Sequence, residues 1–265
     1  MISPKNFRYS MKKFQQSQAL AMILFLAVLI PAVSGQGAEG ELTGGQALDK
    51  ARQDLARFDK TLSPEVRRSL KGGGDKTWLA PSVRRLYEER SRLRVEVDDW
   101  ENVLRLKKDI LDLQPTTDSP ARPEEEIKRG KEAEDIARMA IAGFRELRKK
   151  YGMIRPAFLH NMFVNMGVKK EGFCWHWTRD LRKRLLALKL EEYDLLWATA
   201  RGETVREHNT LVVTPRGQGL LGGLLLDGWR QSGKPFWIRV AVDLKKYPWK
   251  PGEYYESLPA GDQEE

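Results

Sequence analysis

Apolar positions along this chain follow two different patterns, and the change between them falls near residue 151. The longest periodic stretch begins near Pro81. Leu79, Leu86, Leu93 and Trp100 recur every seven residues, and Val83, Val97, Leu104 and Leu111 fill the interleaved register, with Arg90 as its exception. Such spacing predicts a long helix with an apolar stripe. Two packings satisfy it: an antiparallel hairpin within the chain, or an intermolecular coiled coil. An earlier helix is expected over 46–62, with a break at Gly72-Gly73-Gly74. Three prolines make 114–123 a loop. Glu124-Glu125-Glu126 then opens a helix that closes on Arg148-Lys149-Lys150, the charge order a helix dipole favours. Its apolar side carries Ile127, Ile136, Met139, Ala140, Phe144 and Leu147.

After Tyr151 the segments shorten and all but two of the eight tryptophans appear. Helices are expected over 156–166 and 174–190, the second with Leu181, Leu185 and Leu188 on one face. Strands are expected over 195–200, 208–214, 223–227 and 236–242. Pro215-Arg216-Gly217-Gln218-Gly219 is turn chemistry between the second and third. The fold class is therefore α+β: an N-terminal helical region over 35–150, then a domain over 151–265 in which a helix beginning at Cys174 packs on an antiparallel sheet.

The first 34 residues change the picture of the charge. They hold Lys5, Arg8, Lys12 and Lys13 and no acidic residue, so the formal +9 falls to +5 without them. That remainder is spread among interspersed acids and bases, which argues against a nucleic-acid partner and fits a mild attraction to anionic surfaces. The basic start, the apolar run from Ala19 to Val33 and the small residues Ala32-Val33-Ser34 read as a signal peptide cleaved after Ser34. An uncleaved N-terminal membrane anchor is the alternative, although the run is shorter than the roughly 20 residues a spanning helix needs. The expected location is periplasmic or extracellular.

Export makes the single cysteine, Cys174, unusual, because oxidising compartments favour paired thiols. Cys174 stands at the start of a predicted helix, where unpaired amides and the dipole favour a thiolate. His208 opens one predicted strand and Asp227 closes the next. Their midpoint lies between Gly217 and Gln218, inside the turn, so pairing about that turn brings them almost opposite each other. A Cys, a His and an Asp so arranged are the parts of a nucleophile, its base and the carboxylate that orients the base. The bland alternative keeps Cys174 and His208 as core residues and Asp227 as a turn residue. Cys174, His176, His208 and an acid lack the close ligand spacing of a metal site, so no metal and no cofactor are expected. Trp175, Trp177, Trp197, Trp229, Trp237 and Trp249 suit either a Trp-rich core and rim or a groove for an extended polymer.

Gly172-Phe173-Cys174-Trp175, Glu207-His208-Asn209-Thr210-Leu211-Val212-Val213 and Leu226-Asp227-Gly228-Trp229 together resemble the nucleophile, His and Asp segments of the transglutaminase-like group of papain-like cysteine enzymes. The resemblance covers roughly residues 150–250. It implies acyl chemistry on amide bonds, as a peptidase, amidase or transamidase, with a peptide, protein or envelope-polymer substrate. Cys174 would be the nucleophile, His208 the base and Asp227 the orienting group. Two departures stand out. Asn209 and Thr210 follow the His where the group often has an aromatic residue, and the side-chain donor to the oxyanion is not evident. Asn161, Asn165 and Trp175 are candidates for that donor, and Trp229 for substrate contact. Members with decayed triads serve as binding modules, so a non-catalytic envelope binding or assembly protein is the second expectation. The sequence leaves the oligomeric state open.

Overall fold

The computed structural model describes residues 42–70, 80–113 and 122–252. The expected signal peptide, the Gly72-Gly73-Gly74 break and most of the 114–123 loop lie outside these residues. The described chain is mixed α and β, with helices α1 Gly44–Thr61, α2 Pro64–Leu70, α3 Pro81–Leu111, α4 Pro123–Tyr151, α5 Ala157–Asn165, α6 Cys174–Leu186 and α7 Val240–Asp243. Strands β1 Tyr193–Ala200, β2 His208–Pro215, β3 Leu224–Leu226, β4 Trp237–Arg239 and β5 Trp249–Pro251 form one antiparallel sheet in the order β4-β3-β2-β1-β5.

Within the chain, the heptad-bearing helix α3 lies against both α4 and α1. The buried stripe of α3 is Leu93, Val103, Leu106 and Ile110, continued by Leu113. It is therefore displaced from the expected stripe in the second half of the helix. Two causes suffice. A straight helix drifts about 20° per heptad against a strict seven-residue repeat, and a second helix takes up part of the neighbouring face. Leu104 looks toward Gly44 at the start of α1. Arg90, the irregular position, forms a two-toothed ion pair with Asp59 of α1 at 2.7 and 2.9 Å. In α4, Ile136, Ala140, Phe144 and Leu147 are buried as expected, whereas Ile127 is 74% exposed. It sits in the first turns of the helix, beyond the reach of the packed face.

One core joins α3, α4, α6 and one face of the sheet. Leu106 and Ile110 of α3, Ile136, Phe144 and Leu147 of α4, Trp177, Leu181 and Leu185 of α6, and Leu211, Val213, Leu224 and Leu226 of the sheet share it. Trp237 of β4 donates to Asp109 of α3 at 2.6 Å. The opposite sheet face has its own smaller core of Ala198, Ala200, Val212, Leu225, Val240 and Trp249. Two features of the sheet differ from expectation. The strand expected over 236–242 stops at Arg239 and turns into α7, with the Val240 amide donating to Gly223. The short edge strand β5, ladder-paired to Ala198–Ala200 of β1, had no alternating pattern to reveal it.

Candidate functional site

Each member of the expected triad is placed by a separate element. Cys174 is the first residue of α6. The helix entry is held by His176, whose Nδ1 accepts from the amides of Gly172 at 3.3 Å and Phe173 at 3.2 Å. That is the reach-back half of a capping box, performed by an imidazole. Burial first, and then Arg179, holds His176 down at about 3, so it remains a neutral acceptor. Gly172 has φ +126°, and a Cβ there would lie 2.1 Å from His160 Nε2. His160 in turn bridges the Ile154 amide and the Glu171 carbonyl, fixing the approach to α6. His160 and His176 therefore stitch backbone, away from any ligand set. Among the described residues no group of His, Cys, Asp and Glu is placed to hold a metal.

His208 opens β2, and Asp227 directly follows β3. The β2–β3 ladder pairs Leu211 with Leu226 and Val213 with Leu224. Its centre is thus between Gln218 and Gly219, one residue later than expected, because a turn of 3-10 helix at Leu220–Gly222 lengthens the connection. Asp227 consequently lies beside Thr210 and diagonally from His208, still on the same side of the sheet and within reach. The result is a 2.6 Å bond between His208 Nε2 and Asp227 Oδ2, both residues 2% exposed. The Asp227 amide donates to Phe236, which keeps the carboxylate rigid beyond the strand end. Gly228 permits the segment to close on the helices: a Cβ there would lie 2.3 Å from the Trp177 ring.

The other His208 nitrogen, Nδ1, is buried and, among the described residues, has no hydrogen-bond partner. Cys174 lies beside the ring. Burial alone would lower the His208 pKa, but Asp227 and then Cys174 overcome it and raise the imidazole to about 10. Asp227 moves the other way. Burial opposes its ionisation, yet His208 and Arg230 hold it below the usual carboxylate range. Cys174 is 7% exposed, and its sulfur lies 3.9 Å from the Glu207 carbonyl and 3.9 Å from Asn209 Nδ2.

A charged support behind the triad escaped sequence reasoning. Arg230 donates to Asp227 through its amide at 2.9 Å and through Nε at 3.1 Å. Its two terminal nitrogens clasp Asp243 at 3.1 and 2.9 Å, and Trp249 Nε1 completes Asp243 at 3.0 Å. The guanidinium also lies 4.4 Å from the Tyr247 ring centre and 4.8 Å from that of Phe236. Trp229, Tyr247 and Trp249 surround the His208 ring, their centres 4.9, 5.4 and 5.5 Å away. Asp227-x-x-Arg230 was the available signal, an i, i+3 pair after a strand end.

The expected substrate contacts divide. Trp229 adjoins His208, and its Nε1 donates to Asn161 Oδ1 at 3.1 Å, so Asn161 belongs to the wall of the site. Trp175 follows the nucleophile position and stacks on His176 with ring centres 3.7 Å apart. Asn165 is exposed at the end of α5 and, among the described residues, makes no hydrogen bond to the triad. Of the remaining tryptophans, Trp177, Trp197 and Trp249 are buried, and Trp237 packs between β4 and α3; these four serve the core. A cleft of about 590 Å³ between α3 and α4, lined by Trp100, Arg138 and Arg145 among others, lies apart from the triad.

No family model, curated protein or solved structure matches this chain.

Proposed function

We propose that the chain is an exported, transglutaminase-like cysteine enzyme that performs acyl chemistry on amide bonds. The observation that carries the reading is the division of labour on His208: Nε2 is committed to Asp227 at 2.6 Å, and the buried Nδ1, which among the described residues meets no other hydrogen-bond partner, is left to Cys174. His208 takes the Cys174 proton, and Asp227 stabilises the imidazolium that forms. The thiolate attacks the carbonyl carbon, a C–S bond forms, and the carbonyl pair moves to oxygen. Collapse breaks the C–N bond while His208 gives its proton to the departing amine. Water or a second amine, deprotonated by His208, then attacks the thioester and releases Cys174. Water makes the enzyme a peptidase or amidase; an amine makes it a transamidase. First-turn amides of α6 are suitable partners for the oxyanion.

The test is a burst experiment with an activated ester of an acylated amino acid. The expected result is a rapid release of leaving group limited to one equivalent per chain, with the acyl mass on the peptide containing Cys174. Addition of a primary amine separates transfer from hydrolysis. Absence of any adduct at Cys174 contradicts the proposal.

A second reading, a non-catalytic envelope binding protein of the same fold, is favoured by one observation. Cys174 is 7% exposed, so a substrate reaches it only if the wall of the site moves. The same burst experiment separates the two.

A further inference from the structure

Asn209 directly follows the general base and is itself 2% exposed. Its side-chain amide has no freedom to flip. Oδ1 accepts from Trp197 Nε1 at 2.8 Å and from Thr199 Oγ1 at 2.8 Å, both across the β1–β2 ladder. Two donors converging on one atom identify it as the oxygen, so the other atom is the NH2 group. One of its hydrogens is directed at Glu207 Oε1, 3.0 Å away, and the nitrogen lies 3.9 Å from Cys174 Sγ. The sulfur thus has an acceptor on one side, the Glu207 carbonyl, and a fixed amide donor on another. A protonated thiol can use the carbonyl. A thiolate cannot, but it can use the amide and the His208 imidazolium.

We propose that Asn209 is a further catalytic residue of this site, a pre-oriented N–H donor to the Cys174 sulfur that stabilises its thiolate form. The inference rests on the function proposed above and adds a third partner to the nucleophile. Hydrogen bonding to the charged form of an acid favours that form, and bonds to charged groups are the stronger kind. The anchors Trp197 and Thr199 are positioning residues, since they act through Asn209 and do not touch the sulfur.

The thiolate that Asn209 stabilises is also a slightly poorer nucleophile, because intrinsic nucleophilicity falls with basicity. This gives a signature that loss of structure alone does not produce. Cys174 alkylation by iodoacetamide is measured against pH in the wild-type protein, in Asn209→Leu and in Trp197→Phe, with circular dichroism as the folding control. In Asn209→Leu the rate is expected to fall about 10-fold at mildly acidic pH, yet to equal or exceed wild type on the alkaline plateau. The two profiles therefore cross or converge. Trp197→Phe, which frees the amide from one anchor, is expected to fall between them. In the wild-type protein the Asn209 side-chain amide proton resonance is expected to titrate with the same midpoint as alkylation, a readout that needs no variant. Superimposable profiles, or an amide resonance that ignores the titration, would overturn the proposal. An ordinary-thiol profile in the wild-type protein itself would instead sink the proposed function, so the two failures are distinguishable.

Discussion

At the scale of single residues, the site depends on four linked ionisable groups: the buried His208, Asp227 and Asp243 and the part-buried Arg230. Removing one member leaves a neighbour uncompensated, which is the costly change for a buried pair. Arg230→Met is therefore expected to lower the unfolding free energy by about 3–5 kcal/mol in urea titrations, and to release His208 and Asp227 from their fixed geometry. The pH dependence follows from the two shifted groups. His208 binds its proton more tightly when folded, with its pKa raised from 6.5 to about 10. Its stabilising contribution is complete below the unfolded value and drains away as pH rises through the folded one. Asp227 is depressed from 3.8, so its contribution is complete above that value and is lost as pH falls into the acid range. Urea midpoints are expected to decline between about pH 7 and 10 in wild type and to decline less steeply there in His208→Ala. A wild-type slope shared by His208→Ala would show that other groups govern it.

Among the elements, the entry to α6 decides where Cys174 points. The Gly172 backbone, at φ +126° and pressed against His160, suits no residue with a Cβ. Gly172→Ala is expected to destabilise the protein by about 1–3 kcal/mol and to slow Cys174 alkylation at mildly acidic pH toward the rate of an ordinary thiol. A normal alkylation profile in a folded Gly172→Ala protein would show that the entry geometry does not matter. Order and spacing made the meeting of His208 with Asp227 legible in the sequence, because strand alternation and a turn of Gly and Pro constrain which side chains meet. The register was one residue off centre, since turn chemistry alone does not reveal the 3-10 turn at Leu220–Gly222. Arg230 was signalled only by its i, i+3 spacing from Asp227, and Asp243 and Asn209 were illegible for a different reason. Their roles come from burial between loops and across β1–β2, which no local period encodes. The stripe of α3 was half legible: a seven-residue repeat announces a helix, but its buried face also depends on α1, whose Asp59 claims Arg90.

Across the whole molecule, α3, α4 and α6 share one core with the sheet, from Leu106 and Ile110 through Phe144 and Trp177 to Leu211 and Leu226. Thermal unfolding is accordingly expected as one cooperative transition, with calorimetric and van't Hoff enthalpies equal. Two separated transitions would mean that the helical region and the sheet fold independently. The central claim, that the assembled fold turns Cys174 into an activated nucleophile, is tested most directly by its alkylation rate across pH in wild type, His208→Ala and Asp227→Asn. Wild-type Cys174 is expected to react at mildly acidic pH at least 10-fold faster than glutathione, the difference expected from one charge-assisted partner. Both variants are expected to lose this advantage while remaining folded. A wild-type Cys174 that reacts no faster than glutathione, or that is unchanged by His208→Ala, would contradict that claim.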